Sequence, residues 1–438
     1  MATDPQAMDP LAVTLRTGER TPTDVIENGI DRIDAVEDDV QALVPESGRE
    51  PRLRREAAAL AARHDEPSTR PPLFGVPVGV KDIFHVDGYR TRAGSAVPAA
   101  AITDAEATAV RRLRDAGALH LGKTHTTEFA YFEPAPTRNP RDLGHTPGGS
   151  SSGSAAAVAA GMCPLALGTQ TVGSVIRPAA FCGIVGFKPS HGRIPLDGVV
   201  PFSPTVDHVG TFTADVAGAA RAASVLCDGW APATPGEQPT LGVVEGPYLD
   251  QATPAGRAGL DAGADALADA GYEIRHVSVF DDIEAINDRH DALTAAELAL
   301  THAERFADHG EQFADTTADL IETGRTVGVD ELVDARAATR EVRAQIGERL
   351  DEAGVDLLLS PAAPGPAPAG IDDTGDPIMN LPWTHAGVPA LTVPCGRVDG
   401  LPLGLQVTAP FGADESLLAW GEGVAAAVAD VGSVADTG

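Results

Sequence analysis

Lysine is nearly missing from this chain. Of 438 residues only three are lysine (Lys81, Lys123 and Lys188), and the other 29 basic residues are arginine. Set against 63 acidic residues, the 32 basic ones leave a formal charge of −31 and a pI near 4.6. A surface so short of positive charge repels phosphate, so no basic patch for nucleic acid or an anionic membrane is expected. Abundant carboxylates with so little lysine suit a protein kept soluble in concentrated salt, and a halophilic source is expected. Cysteine is sparse as well. Cys163, Cys182, Cys227 and Cys395 are scattered and form no CxxC pair, which argues against a disulfide framework or a zinc ribbon. Long apolar runs are lacking too: the longest, around 155–168, is Ala-rich and broken by Gly161 and Pro164, too weak to span a bilayer. The opening MATDPQAMDP has no basic segment followed by an apolar one, so no secretory signal is expected and the protein is expected in the cytoplasm.

What is present is enough chain for a large core. Length alone suggests two or three domains, but there is no internal repeat and no clear linker, so one domain over 1–438 is expected. Residues 1–65 read as helices, with Ala12, Val13, Val25, Ile26, Ile30 and Ile33 at roughly helical spacing. From 72 to 230 short apolar runs alternate with helical ones. "PLFGVPVGVKDIF", "LHLGKT" and "PLALGTQ" read as strands, and the segment around "ATAVRRLRDAGA" reads as a helix. That alternation is the mark of an α/β sheet with helices packed on it. Residues 250–355 read as acidic helix and 356–430 as further strands and a closing helix, with the final VADTG frayed.

The stretch "TPGGSSSGSAAAVAAG" (146–161) joins a Gly/Ser turn to an Ala-rich helix. It is too short, and too closely flanked by ordered-looking segments, for a linker. It lacks the GxxxxGK[ST] or GxGxxG pattern of a phosphate cradle. Gly149-Ser150-Ser151-Ser152-Gly153 fits GxSxG, but a nucleophile elbow needs an apolar strand just before it, and here Pro147 follows polar loop. A second Gly-Ser pair, Gly173-Ser174, does follow an apolar strand in "ALGTQTVGSVIRPAAFCGIVGFKPS". Its glycine admits close backbone approach, and consecutive N–H groups at such a turn can hold an oxyanion. A serine there still needs a base. Lys81, at the end of "FGVPVGV", can become neutral out of water, which arginine cannot. A lysine snorkelling from the strand end, or pairing with the adjacent Asp82, is the structural alternative. Lys123 and Lys188 are rival bases nearer turns. His120 and His125 share a segment but have neither an HExxH pattern nor a third ligand, so no metal is expected.

Taken together, "GVPVGVKDIF", "GKTHTTEFA", "PGGSSSGSAAAVAAG", "ALGTQTVGSVIRPAAFCGIVGFKP", "VDHVGTFT", "GVPALTVPCG" and "GLPLGLQV" resemble the amidase signature hydrolases, in the right order and over nearly the whole chain. The resemblance is weakest from about 230 to 320. It implies an α/β amidase signature fold with a large, mixed central sheet flanked by helices on both faces. It also implies a Ser–Ser–Lys triad: Ser174 as nucleophile, Ser150 as bridging serine after a cis peptide bond, and Lys81 as base. The N–H groups of Thr171, Val172, Gly173 and Ser174 would form the oxyanion hole, Ser151 would support the relay, and no cofactor or metal is implied. Gln170 and Thr171 would line the site, and Glu128 and Asp207 would belong to buried hydrogen-bond networks.

Three departures bear on the substrate. Gln170 and Val172 stand in a segment that often reads GTDTGGS, Ser152 replaces a glycine, and Arg177 comes three residues after Ser174 rather than two. The last resembles the malonamidase and allophanate hydrolase type, where the matching arginine binds a substrate carboxylate. Pairing of Arg177 with an internal carboxylate is the alternative. The expected partner is a small amide, with homodimer formation left open. The amidase component of a tRNA-dependent amidotransferase fits these motifs less well, and a non-catalytic binding protein on the same fold is a third reading. The acidic helical region is expected to shape the substrate entrance.

Overall fold

A computed structural model describes residues 5–234 and 236–434; the last four residues of the VADTG segment lie outside them. Ten strands form one sheet: β1 (Pro77–Lys81), β2 (Leu119–Thr124), β3 (Leu165–Gln170), β4 (Val185–Lys188), β5 (His208–Thr213), β6 (Leu241–Glu245), β7 (Ile274–Ser278), β8 (Leu357–Pro361), β9 (Ala390–Val398) and β10 (Leu401–Thr408). Their spatial order is β2-β1-β3-β5-β4-β9-β10-β8-β6-β7. The two ends of the sheet are parallel (β2-β1-β3 and β8-β6-β7), whereas the strands between them pair antiparallel. The sheet is therefore mixed, as expected.

Side chains alternate along a strand, so β3 shows how both faces are covered. Leu165 and Leu167 join one apolar cluster with Val78, Val80 and Phe187, while Ala166 joins another with Leu121, Val158 and Phe212. Strands buried on both faces read as continuous apolar runs, which is why β1 and β3 are legible in the sequence. At the N-terminus three helices (Met8–Thr17, Pro22–Val40 and Arg49–Arg63) fill the segment read as helical. Thr21 and Asp24 close the start of the second with a reciprocal capping box.

The acidic region departs from expectation in one respect. It is mostly helix, but β7 lies inside it, and β6 stands just before it. β7 is an edge strand of sequence IRHVS in which only Val277 is buried, so neither an apolar run nor a clean alternation marks it. No helix among the described residues is long and apolar enough to cross a membrane.

Candidate active site

The parallel strands β1 and β3 end on the same side of the sheet, and the two segments singled out in the sequence begin there. Strand β1 delivers Lys81 at its last position, fully out of solvent. The Lys81 Nζ lies 2.7 Å from Ser150 Oγ and donates to Thr169 Oγ1 at 2.8 Å. Burial holds its pKa well below the usual lysine range, with the Asp207 carboxylate opposing the shift. A lysine so placed is neutral more readily than one in water, and a neutral amine can take a proton.

The Gly/Ser turn reaches this lysine through an unusual backbone. The Gly149–Ser150 peptide is cis. Ser150 is buried, and helix Ser152–Ala159, buried at every position, leads away from it into the core. Gly153 leaves no room for a side chain unless the backbone shifts, because a Cβ would stand 2.2 Å from the Ala42 carbonyl oxygen. Ser151 donates to the Thr169 carbonyl (3.2 Å) and accepts from the Thr169 N–H (3.3 Å), holding the residue that in turn holds Lys81.

Beyond β3 the chain turns sharply through Thr171–Val175 into the short helix Ile176–Cys182. Gln170 Oε1 accepts from the N–H groups of Val175 and Ile176 at 2.8 and 2.9 Å, which fixes the turn from beneath. Gly173 is pressed against Asn380 Oδ1 and Pro377, 2.4 and 2.8 Å from where a Cβ would sit. Ser174 then opens into a narrow cleft of about 20 Å³, shared with Ser150, Thr171, Val172 and Arg177. Its outer wall is Ala130, Tyr131, Phe132, Phe202, Thr374 and Pro377.

Arg177 is the most unusual group in that cleft. Its Nη2 donates to the Gly149 carbonyl at 2.7 Å and lies 3.4 Å from Thr374 Oγ1. Its Nε and Nη1 are buried and meet no acceptor among the described residues. Burial lowers its pKa to about 10, although Asp376 and Asp373 act the other way from a distance. Among the described residues no carboxylate is within its hydrogen-bond contacts.

The family profile described as Amidase matches residues 24–418. The chain belongs to the amidase family. Members of this family are hydrolases acting on carbon–nitrogen amide bonds, and so is this one. The amidase is 34% identical to the A component of the glutamyl-tRNA(Gln) amidotransferase of Synechococcus sp. (strain RCC307), over 92% of this chain and 93% of the relative. It is 32% identical to AtzE, a component of the 1-carboxybiuret hydrolase of Pseudomonas sp. (strain ADP), over 92% and 94% of the two chains. A solved structure described as an amidase matches with a TM-score of 0.89 and 34% identity, covering 97% of this chain and 100% of the other.

Other expected residues stand elsewhere in the amidase. Gln170 does not line the cleft: its Oε1 is engaged as described and its Nε2 donates to Thr384 Oγ1 at 2.9 Å, so the protein itself uses both ends. Thr171 does line the cleft, and its hydroxyl donates to Asp207 Oδ1 at 2.6 Å. The rival lysines have other partners. Lys123 pairs with Asp82 at 2.6 Å, which also removes Asp82 as a partner for Lys81. Lys188 donates to the Val388 carbonyl, and burial pulls its pKa down to about 7. Glu128 accepts from Ser95 Oγ and the Ala314 N–H in a buried network. Among the described residues the cleft takes no lining from 250–355, so the acidic helices do not form its wall. Thr169, Thr374 and the 130–132 wall are site residues that sequence reasoning does not reach. Only Thr169 carries a signal, since it lies inside the motif that leads to Ser174; the others come together only in space.

Proposed function

We propose that the protein deamidates a small amide carrying a carboxylate, through an acyl-enzyme on Ser174. In this reading the Ser174 hydroxyl attacks the amide carbonyl carbon while its proton passes to Ser150, and the Ser150 proton passes to Lys81. The N–H groups of Thr171, Val172, Gly173 and Ser174 hold the developing oxyanion. The C–N bond breaks as the leaving nitrogen takes the proton back through the relay. Water then attacks the acyl carbon, loses a proton along the same path, and releases the acid and Ser174.

The observation that carries the substrate class is Arg177: a buried guanidinium, one helical turn past Ser174, with two donors that meet no acceptor among the described residues. An unpaired buried cation is costly, and a planar carboxylate is the group that a guanidinium fork fits. The narrow cleft favours a small molecule.

A second reading rests on the comparisons, which support it at least as strongly. Similarity to amidotransferase components over nine-tenths of the chain favours a protein whose released ammonia passes to a partner. The AtzE relative is likewise named as one component of a larger enzyme. Both readings use the same deamidating site and differ in where the ammonia goes. The test is ammonia release by the purified chain in molar salt, a medium suggested by its acidic surface. Malonamate and glutamine are set against propionamide and benzamide, with Ser174→Ala as control. Turnover of the acid-bearing amides by the chain alone supports the first reading. Turnover that needs added partner proteins supports the second, and preference for the neutral amides refutes the carboxylate site.

A further inference from the structure

A cavity larger than the cleft at Ser174 lies on the other side of β1. Val78 and Val80 point away from Lys81, by the alternation of the strand, into a space of about 290 Å³. Its walls are mainly apolar, including Val86, Val110, Leu113 and Leu119, and it shares no lining residue with the cleft at Ser174. The space is half open to solvent, with exposed Ala59, Arg63 and Asp87 on its rim. Engineered apolar cavities of about 150 Å³ take up benzene.

Two polar groups line the same space without partners. The Tyr89 hydroxyl and both ring nitrogens of His120 are buried and meet no hydrogen-bonding group among the described residues. The two rings pack edge to face, 4.5 Å apart. Burial, with Arg52 and Lys123 adding to it, keeps the His120 imidazole neutral. It therefore offers one N–H and one lone pair. Arg63 and Asp87, of opposite sign, stand exposed at its rim, and other charges near it are paired. Arg52 bonds to Glu46, Glu56 and the His120 carbonyl, and Arg114 pairs with Glu106 at the rim.

A mainly apolar space with unmet hydrogen-bonding groups, and with rim charges of both signs, suits a neutral ligand. We propose that this cavity is a second binding site, for a small uncharged ring compound bearing one hydrogen-bonding group. Its occupant rests on the back of the strand that ends in Lys81 and bonds to His120 or Tyr89.

Phenol and benzene are the probes, titrated into the intact protein in molar salt and followed by calorimetry or ligand-observed NMR. One saturable phenol site per chain is expected, with benzene roughly fivefold weaker for want of a hydrogen bond. His120→Leu together with Tyr89→Phe should erase that difference. Ala59→Trp, on the exposed rim, should block both probes while leaving the melting temperature and ammonia release unchanged. Absence of saturable phenol binding, binding that survives Ala59→Trp, or displacement of phenol by an acid-bearing amide would each overturn the proposal.

Discussion

Replacing Arg177 with methionine keeps most of the side-chain stem and removes every donor. Two effects follow, and the structure separates them. The bond from Nη2 to the Gly149 carbonyl is lost for every substrate, and a net hydrogen bond of about 1 kcal/mol makes that roughly a fivefold loss. The two unmet donors, Nε and Nη1, matter only when a substrate carboxylate is present. At about 1.5 kcal/mol or more for each charge-assisted bond, their loss is about 3 kcal/mol, or roughly two orders of magnitude in kcat/KM. The assay is ammonia release from malonamate and from propionamide by the wild type and Arg177→Met, in the same salt. The ratio of the two losses isolates the carboxylate contact from the Gly149 contact, because the latter cancels. A ratio near one, with both substrates slowed equally, would show that Arg177 only supports the Gly149–Ser150 turn.

Three further outcomes follow from the same geometry. Ser174→Ala should abolish ammonia release while leaving the thermal transition in place; substantial residual turnover would move the nucleophile elsewhere. As pH falls through its lowered pKa, Lys81 gains a proton and the base is lost, so kcat/KM should climb with pH along a limb centred well below 10.5. Lys81→Arg should be nearly inactive at every pH, because a guanidinium keeps its proton, and a rate near wild type would take lysine out of the relay. Gly153→Ala would place a Cβ 2.2 Å from the Ala42 oxygen and 2.4 Å from the His125 nitrogen. A loss of about 1–3 kcal/mol in denaturant unfolding is expected, and unchanged stability would show that this helix start can yield.

Much of the fold was legible because burial on both faces leaves a plain trace. Strands β1, β2, β3, β8, β9 and β10 are apolar runs ended by Gly, Pro or polar residues, and helix Ser152–Ala159 is nearly pure small residue. Strand β7 was not legible, since an edge strand with four of its five residues at least partly exposed has no such trace. Lys81 could be picked out chemically: it is one of three lysines in an arginine-rich chain and sits at the end of a buried run. Gln170 misled for the opposite reason. Its place in the motif suggests the substrate, whereas the turn beneath Ser174 had two N–H groups to satisfy and used its carbonyl oxygen for them.

Composition and motif order were enough for the fold class, the family and the residues to suspect, because each depends on residue type and local spacing. Tertiary structure decided which of three lysines faces Ser150, since Asp82 turns to Lys123, which lies 41 positions away. It also decided that two Arg177 donors beside Ser174 meet no acceptor among the described residues, because Asp373 and Asp376, the carboxylates that act on it, come from a loop some 200 positions on and make no hydrogen bond to it. Burial and distance between remote segments are properties of the folded chain, and those two quantities turn a list of reactive side chains into a site.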